Sequence, residues 1–250
     1  MGKKKSGSSR YFVLLIFLFS ILFFGFQGLN RLFRNLDYFN IEKIEIVGNQ
    51  ILETDFLLNI SLDLMGKNIL TVSKREIIAK YENISRIKRI RIKKILPRKL
   101  MIKFEERNAI FLVKTVSGQL FPVDGEGVFL DNLNFDIREV LPVVNTQLSS
   151  ENIVSGTSSE DKFLLEVIDL YYEIRNTDND FFEKISEIYE NNGEICLIEL
   201  ENGFQIILGS GDIADKVNRY NFVEQNRKFE KNSIIDLRFK DKLIVRSEDE

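Results

Sequence analysis

The residue types that most often carry catalysis are scarce in this chain of 250 residues. Histidine is absent, which excludes His-dependent serine and cysteine triads and removes the commonest metal ligand. The single cysteine, Cys196, lies in the apolar run 195–198, which favours a packed thiol over a reactive one. One cysteine forms neither an intrachain disulfide nor a cysteine-based zinc site.

Two further patterns could in principle do chemistry. Gly209-Ser210-Gly211 is a lone GxG before a helical stretch, and such a pattern indicates a turn. Carboxylates are plentiful, so a two-acid hydrolase stays open by residue type, yet pairs such as Glu105-Glu106 stand in charge-rich strands without a distinguishing environment. We therefore predict a protein that is not an enzyme, with no catalytic, cofactor-binding or metal-binding residue.

An uncharged stretch near the N-terminus predicts a membrane anchor. Residues 11–30 carry no charge and, at 1.5 Å per helical residue, reach across a hydrocarbon core of roughly 30 Å. The purely basic tail 1–10 predicts a cytoplasmic N-terminus, with everything from Arg31 onward outside. The alternative is a cleaved signal peptide, but the run exceeds the usual h-region and lacks a small-x-small cleavage site.

Composition limits what the rest of the chain does. Apolar residues make up 44% of the sequence, enough for one or two cores beside the anchor. Four of the 35 basic residues precede the apolar run, so 31 remain against 38 acidic residues. The folded part is mildly acidic, which gives no support to nucleic-acid binding.

Residues 37–107 read as a small unit of order β-α-α-β-β. A first strand ends at Gly48-Asn49, a short helix follows at 54–61, and Ser73 to Glu76 form a capping box for a helix to Tyr81. Two alternating strands, 87–95 and 100–106, are separated by a turn at Pro97, which predicts a hairpin.

This hairpin is strongly basic, and its charge allows two interpretations. Either it is a patch for nucleic acid or anionic lipid, or it is the solvated face of a strand pair whose isoleucines point inward. The second interpretation explains the period-two spacing of the basic residues, which are Arg86, Lys88, Arg89, Arg91, Lys93, Lys94, Arg98, Lys99 and Lys103.

Residues 108–246 form a second unit, and an acidic tail follows at 247–250. Alternation and turn signals predict strands at 109–115, 120–123, 127–130, 185–189, 194–201, 204–208, 234–239 and 242–246. Apolar stripes predict two covering helices at 160–176 and 213–229, and Asn202-Gly203 predicts a type I′ hairpin turn. The fold class is α+β: a transmembrane helix, a small β-α-α-β-β domain, and a mainly antiparallel β domain whose last strand lies at or near a sheet edge.

Several short motifs follow the predicted anchor along the chain. They are Val47-Gly48-Asn49, Leu96-Pro97-Arg98-Lys99-Leu100-Met101-Ile102, Glu106-Arg107, Val123-Asp124-Gly125-Glu126-Gly127-Val128-Phe129, Leu141-Pro142, Asn202-Gly203, Leu208-Gly209 and Asp236-Leu237-Arg238-Phe239. In this order the chain resembles the FtsQ/DivIB family of bacterial cell division proteins, with its anchor, POTRA domain and β domain. Two positions depart from the family pattern: Phe239 stands where Tyr is frequent, and Lys240-Asp241-Lys242 replaces a turn that usually carries Gly.

The resemblance implies a non-catalytic scaffold of the division machinery. Such proteins are held in the cytoplasmic (inner) membrane at the division septum, link early and late division proteins, and help control septal peptidoglycan synthesis. They bind FtsB-like and FtsL-like partners with one membrane segment each, and the C-terminal edge of the β domain accepts a strand from the FtsB-like partner.

Carried onto this sequence, the resemblance places the partner-binding residues in the last hairpin. Arg238 is expected to pair with a partner carboxylate and Phe239 to act as an aromatic anchor. The added strand is expected along Lys242, Leu243, Ile244, Val245 and Arg246. The other interpretation is that Arg238 pairs within its own sheet and Phe239 lies in the core.

Two other functions stay open. A POTRA-like unit also suits an export or envelope-assembly factor, although a single copy without a following barrel signature argues against it. An anchored extracytoplasmic hydrolase is disfavoured because histidine and hydrolase motifs are missing.

Overall fold

The computed structural model describes residues 7–34, 36–131, 141–226, 229–240 and 242–246. Residues 1–6 of the basic tail expected at 1–10 and the acidic tail expected at 247–250 lie outside these ranges. The helices are α1 (Gly7–Arg34), α2 (Thr54–Ser61), α3 (Lys74–Ala79), α4 (Lys162–Arg175) and α5 (Ile213–Asn226). The strands are β1 (Lys43–Val47), β2 (Ile87–Ile95), β3 (Lys99–Glu106), β4 (Ala109–Lys114), β5 (Leu120–Asp124), β6 (Val143–Asn145), β7 (Ile185–Asn191), β8 (Glu194–Glu199), β9 (Gln205–Ile207), β10 (Ile234–Asp236) and β11 (Ile244–Arg246).

Helix α1 contains the uncharged stretch. Its side chains are described at residues 11–24 and 27, and the large apolar ones among them are exposed. Among the described residues, no helix is long and apolar enough to cross a membrane. The structure therefore does not confirm the transmembrane segment expected at residues 11–30.

The chain divides into two compact units, one of residues 1–82 with 89–105 and one of 83–88 with 106–250. The first unit carries a three-stranded sheet of order β1-β3-β2, in which β1 runs parallel to β3. The connection between the parallel strands β1 and β3 contains α2, α3 and β2, which gives the chain the length it needs to return in the same direction. The core joins Leu57 and Ile77 of these helices to Leu100 and Phe104 of β3.

The helix α3 begins at the expected place but without the expected cap. Ser73 occupies the N-cap position with extended backbone, yet its side chain makes no capping hydrogen bond. The capping box predicted from Ser73 and Glu76 is therefore wrong in its hydrogen bonding, and α3 is held by the burial of Ile77.

The basic hairpin is only partly a solvated face. Arg89, Arg91, Lys93 and Lys103 are exposed, as expected from the alternation. Lys94 instead donates to the carbonyl oxygen of Val72 at 2.6 Å. Arg86 is 2% exposed, with its Nε 3.7 Å from the carboxylate of Asp131. These two cations serve the fold and are not available as a surface patch.

The second unit contains one eight-stranded sheet of order β11-β10-β9-β8-β7-β6-β4-β5. Four of the seven described strand pairs are antiparallel, in line with the predicted majority, whereas β4 with β6, β6 with β7, and β9 with β10 are parallel pairs. Helix α4 connects β6 to β7 and α5 connects β9 to β10. A helical crossover returns the chain in the same direction, so each of these helices creates a parallel pair.

Both helices cover the same face of this sheet. Leu164, Val167 and Ile174 of α4 and Val217 and Tyr220 of α5 belong to one cluster of buried side chains. The opposing strand residues in that cluster include Phe111, Ile188, Leu197, Ile206 and Ile235. The apolar stripes read from the sequence at 160–176 and 213–229 are therefore the faces that pack on the sheet.

Two Asn-Gly pairs lie in this unit, and they form different turns. At Asn192-Gly193 both residues have positive φ, 53° and 79°, and the pair joins β7 to β8 by the two-residue turn that a type I′ hairpin requires. At Asn202-Gly203 only the glycine has positive φ. There the connection is a four-residue loop from Glu199 to Phe204, and the carboxylate of Glu199 accepts from the N–H groups of Glu201 and Asn202 at 3.0 and 2.6 Å. The type I′ turn predicted at Asn202-Gly203 is wrong.

The segment 127–130, expected to be a strand, follows a tight turn and forms only isolated antiparallel bridges, Val128 with Ser158 and Phe129 with Val123. Asp124, 4% exposed, accepts from the N–H groups of Glu126 and Val128 at 2.9 Å each and from Arg107 at 2.6 Å. The segment then passes along β5, where the N–H of Leu130 donates to the carbonyl oxygen of Pro122 at 2.8 Å. This turn closes one side of the sheet.

We expect the combined variant Arg89→Glu with Arg91→Glu to keep its fold. The pair between Arg89 and Glu105 is long, 3.6 Å, and both side chains are about half exposed, so its loss changes the free energy of unfolding by about 1 kcal/mol at most. Urea unfolding followed by circular dichroism measures this change. The contrasting variant is Arg86→Met, which strands the Asp131 carboxylate and is expected to cost about 3 kcal/mol. Loss of cooperative unfolding in the double variant would contradict this expectation.

Candidate functional site

The seven residues predicted to bind a partner lie together in the C-terminal hairpin. Strand β11 pairs antiparallel with β10, with Ile244 opposite Asp236, Val245 opposite Ile235 and Arg246 opposite Ile234. Among the described residues β11 is the last strand on this side of the sheet. The hairpin therefore presents a sheet edge, as the sequence predicted.

The hydrogen bonds of β10 show which way the backbone of β11 points. The N–H of Gln205 donates to the carbonyl oxygen of Ser233 at 3.0 Å, and the N–H of Leu237 donates to that of Ile207 at 2.9 Å. In this parallel ladder the N–H and C=O of Ile235 point toward β9. Because these groups alternate in direction along a strand, the N–H and C=O of Ile234 and Asp236 point toward β11. Their partners Arg246 and Ile244 face inward, and the N–H and C=O of Val245 point to the outer side of the edge.

A buried carboxylate organises the charges of the edge. Asp236 is 1% exposed, and its two oxygens accept from Nε and Nη2 of Arg238 at 2.9 and 2.6 Å. The guanidinium of Arg246 lies 3.8 Å away. The hydrogen bonds from Arg238 are the main reason that the pKa of Asp236 lies below its ordinary value. Arg238 is thus paired within its own sheet while its side chain stays 42% exposed.

Phe239 is exposed and does not lie in the core, contrary to one of the two interpretations left open by the sequence. The ammonium of Lys242 stands 5.0 Å from the centre of its ring, a cation–π contact. Leu243 is partly buried against the cluster of the sheet, Ile244 is half-buried, and Val245 and Arg246 are exposed. The exposed side chains of the described hairpin are consequently one aromatic ring, one aliphatic side chain and four cations, Arg238, Lys240, Lys242 and Arg246.

Two residues that hold the hairpin were not among the predicted site residues. Arg219 of α5 donates to the carbonyl oxygens of Phe239 and Lys242 at 2.7 and 3.2 Å, and it pairs with Asp215 at 3.1 Å. No local pattern indicates a contact across 20 residues, so the sequence contains no signal for Arg219. For Asp236 the sequence does contain a signal, because residues two apart on a strand share a face, which places Asp236 beside Arg238.

A glycine permits the close approach of Arg238. Gly209 has φ +62°, and a side-chain carbon there would lie 2.5 Å from Cγ of Arg238. The stem of the arginine therefore lies over the backbone of Gly209, and a larger residue at this position would force one of the two to move.

Cys196, one of the residues considered first for chemistry, is used for packing. Cys196 is 1% exposed in β8, and burial raises the pKa of its thiol. Glu126 is held by Lys88 and Arg107, and the hydrogen bond from Lys88 is the largest cause that lowers its pKa to about 2. Within the described ranges no group of three or more His, Cys, Asp or Glu residues could hold a metal ion.

Comparison with protein families places these features in a known context. Residues 39–107 match the model of the FtsQ-type POTRA domain, and residues 111–238 match that of the C-terminal region of the cell division protein FtsQ/DivIB. The chain belongs to the FtsQ/DivIB family. The family suggested by the motifs is confirmed, and the FtsQ/DivIB match ends within the hairpin at Arg238.

Three curated relatives agree with this assignment. The Cell division protein DivIB of Clostridium botulinum (strain Hall) is 29% identical over 222 residues, 86% of this chain and 80% of the relative. That of strain Loch Maree is 28% identical over 232 residues, 89% of this chain and 80% of the relative. The DivIB of Clostridium acetobutylicum is 28% identical over 213 residues, 82% of each. The similarity to DivIB proteins thus extends over both units.

Replacing Asp236 by Asn should remove a stabilisation that depends on pH. Because Arg238 lowers the pKa of Asp236, the carboxylate stabilises the fold above its unfolded pKa of about 3.9, and this contribution is lost as the pH falls below that value. At pH 7 we expect Asp236→Asn to lower the free energy of unfolding by about 2 kcal/mol. At pH 3 the difference from the wild type should be smaller.

Urea unfolding at both pH values, followed by circular dichroism, measures this difference. Asp169→Asn is the matched control, since it makes the same change on the exposed side of α4. A deficit of Asp236→Asn that is equal at pH 7 and pH 3 would show that the ion pair does not stabilise the hairpin.

Proposed function

We propose that this FtsQ/DivIB-family chain is a non-catalytic scaffold of the cell division machinery and that it binds an FtsB-like partner by strand addition at β11. The observation that carries the proposal is the outward-pointing backbone of Val245 at the edge of an eight-stranded sheet. A partner strand would satisfy these groups at about 0.5–1.5 kcal/mol net per hydrogen bond. Several such bonds give a moderate affinity that side chains then make specific.

The side chains around the edge favour an acidic partner segment with apolar residues. Arg238, Lys242 and Arg246 supply positive charge on a surface where Asp236 is already paired. Asp236 fixes the guanidinium of Arg238 in place, so a partner carboxylate can bind its remaining N–H groups with little loss of rotamer entropy. Phe239 and Val245 offer apolar area for the same segment.

Membrane attachment completes this proposal. The uncharged residues 11–30 would span the cytoplasmic membrane, with the basic tail 1–10 inside and both folded units outside. Residues 37–107 would act as the POTRA domain and 108–246 as the β domain, and an FtsL-like protein would join the complex. The scaffold would in this way link early and late division proteins and help control septal peptidoglycan synthesis. Membership in a cell division family supports this role over an export factor or an anchored hydrolase.

A proline at position 245 tests the mode of binding. Val245→Pro removes an outward N–H while the inward pairs of Ile244 and Arg246 with β10 stay in place. We expect the affinity of the full-length chain in detergent for the extracytoplasmic segment of the FtsB-like protein of the same organism to fall tenfold or more, because about 1.4 kcal/mol corresponds to a factor of ten.

Val245→Ala is the matched control, since it keeps the N–H and is expected to change the affinity by less than about threefold. Circular dichroism establishes that each variant is folded. Equal binding by Val245→Pro and the wild type, or no binding by the folded wild type, would refute strand addition at this edge.

A further inference from the structure

Five apolar side chains stand exposed at one end of the first unit. They are Leu36, Tyr38, Leu62, Met65 and Leu96, here called the collar, and each is between 43% and 58% exposed. They come from three separate stretches of the chain, before β1, after α2 and in the turn between β2 and β3. Their common position is therefore a product of the fold.

Backbone hydrogen bonds bring these stretches together around residues 36–43. The N–H of Gly66, next to Met65, donates to the carbonyl oxygen of Ile41 at 2.9 Å, and the N–H of Ile41 donates to that of Lys67 at 2.9 Å. In the turn that contains Leu96, the carbonyl oxygen of Arg98 accepts from the N–H of Glu42 at 2.9 Å. The collar thus surrounds the segment by which the chain enters the first sheet.

The same segment follows directly on the apolar helix. Leu36 stands two residues after the end of α1 at Arg34, a distance of at most about 7 Å along the chain. The described apolar side chains of α1, between residues 11 and 24, are exposed like the collar. A lipid bilayer that covers the helix would therefore also contact the collar.

The polar groups near the collar suit a membrane interface. The guanidinium of Arg98 lies 5.3 Å from the ring centre of Tyr38. The tyrosine therefore combines an apolar ring with a polar hydroxyl and a neighbouring cation. Three of the carboxylates nearby are matched by cations: Glu42 by Arg98, Glu45 by Lys99, and Asp63 by Lys67 and Lys80. Asp37 instead accepts a hydrogen bond from the side chain of Asn40 at 3.0 Å. Neutralised carboxylates lower the cost of bringing this end close to lipid.

We propose that the collar rests in the headgroup region of the outer leaflet and orients the first unit on the bilayer. Tyrosine is enriched at this depth, and apolar side chains of surface-bound segments reach about 5–10 Å into it. The proposal rests on the membrane attachment of α1 proposed above. It adds a second contact with lipid, made by the folded unit itself.

The absence of tryptophan from the sequence permits a test with one fluorophore per variant. Leu96→Trp is placed in the full-length chain, which is reconstituted into vesicles of phosphatidylcholine and phosphatidylglycerol with brominated acyl chains. We expect a blue-shifted emission, quenched more by bromine near the carboxyl end of the acyl chain than by bromine near its methyl end. Phe17→Trp, within α1, is expected to show the opposite order.

Phe56→Trp is the matched control in the same unit. Phe56 is 42% exposed, close to the collar values, but it lies in the first turn of α2, six residues or about 9 Å along the helix from Leu62. Its emission should be that of a residue in water and unaffected by bromine.

The outcomes separate the two proposals. Quenching of Phe17→Trp with no quenching of Leu96→Trp would overturn the collar and leave the anchor standing. No quenching of Phe17→Trp would refute the anchor, and the collar proposal would fall with it. Equal quenching of Leu96→Trp and Phe56→Trp would also overturn the collar, because the contact would not be confined to one end of the unit.

Discussion

The handedness of two helical crossovers determines the shape of the second unit. Helix α4 carries the chain from β6 to β7 and α5 carries it from β9 to β10, each time one step in the same direction across the sheet. Right-handed connections that advance in the same direction lie on the same face, which is why the two helices share one hydrophobic cluster. From β6 onward the sheet grows in a single direction, and the last strand lies beyond β10.

The C-terminal hairpin is short, so its order depends on contacts outside β10 and β11. Arg219 of α5 donates to the turn between β10 and β11, and Leu243 packs on the common cluster. Asp236 fixes Arg238 above Gly209. An edge fixed in this way is already organised in the free chain, which would reduce the entropy lost if the proposed partner strand binds there. The same contacts explain how an arginine can be paired within its own sheet and still be half exposed to a ligand.

Periodicity was a sound guide to the elements and a poor one to their pairing. Apolar spacing predicts the strand at Ile87–Ile95, the helix at Thr54–Ser61 and the two covering helices. Burial of one face determines the spacing of apolar residues, and that spacing differs between a strand and a helix. The parallel pairs did not follow, since crossovers are long-range. Of two Asn-Gly pairs, Asn192-Gly193 forms the tight turn, whereas the carboxylate of Glu199 holds the other in a longer loop. At the edge, alternation could place Asp236 beside Arg238 but could not bring Arg219 to it.

The two edges of the eight-stranded sheet differ in a way that limits self-assembly. At the β5 edge, Pro122 has no N–H to donate, and its carbonyl oxygen already accepts from Leu130. The β11 edge of one molecule therefore finds no complementary strand on the β5 edge of another, and head-to-tail fibres through these described edges are blocked. Pairing of β11 with a second β11 remains compatible with the geometry, and it closes after two copies. A heterologous strand bound at β11 would occupy the same backbone groups, so hetero-assembly and homodimerisation through this edge exclude one another.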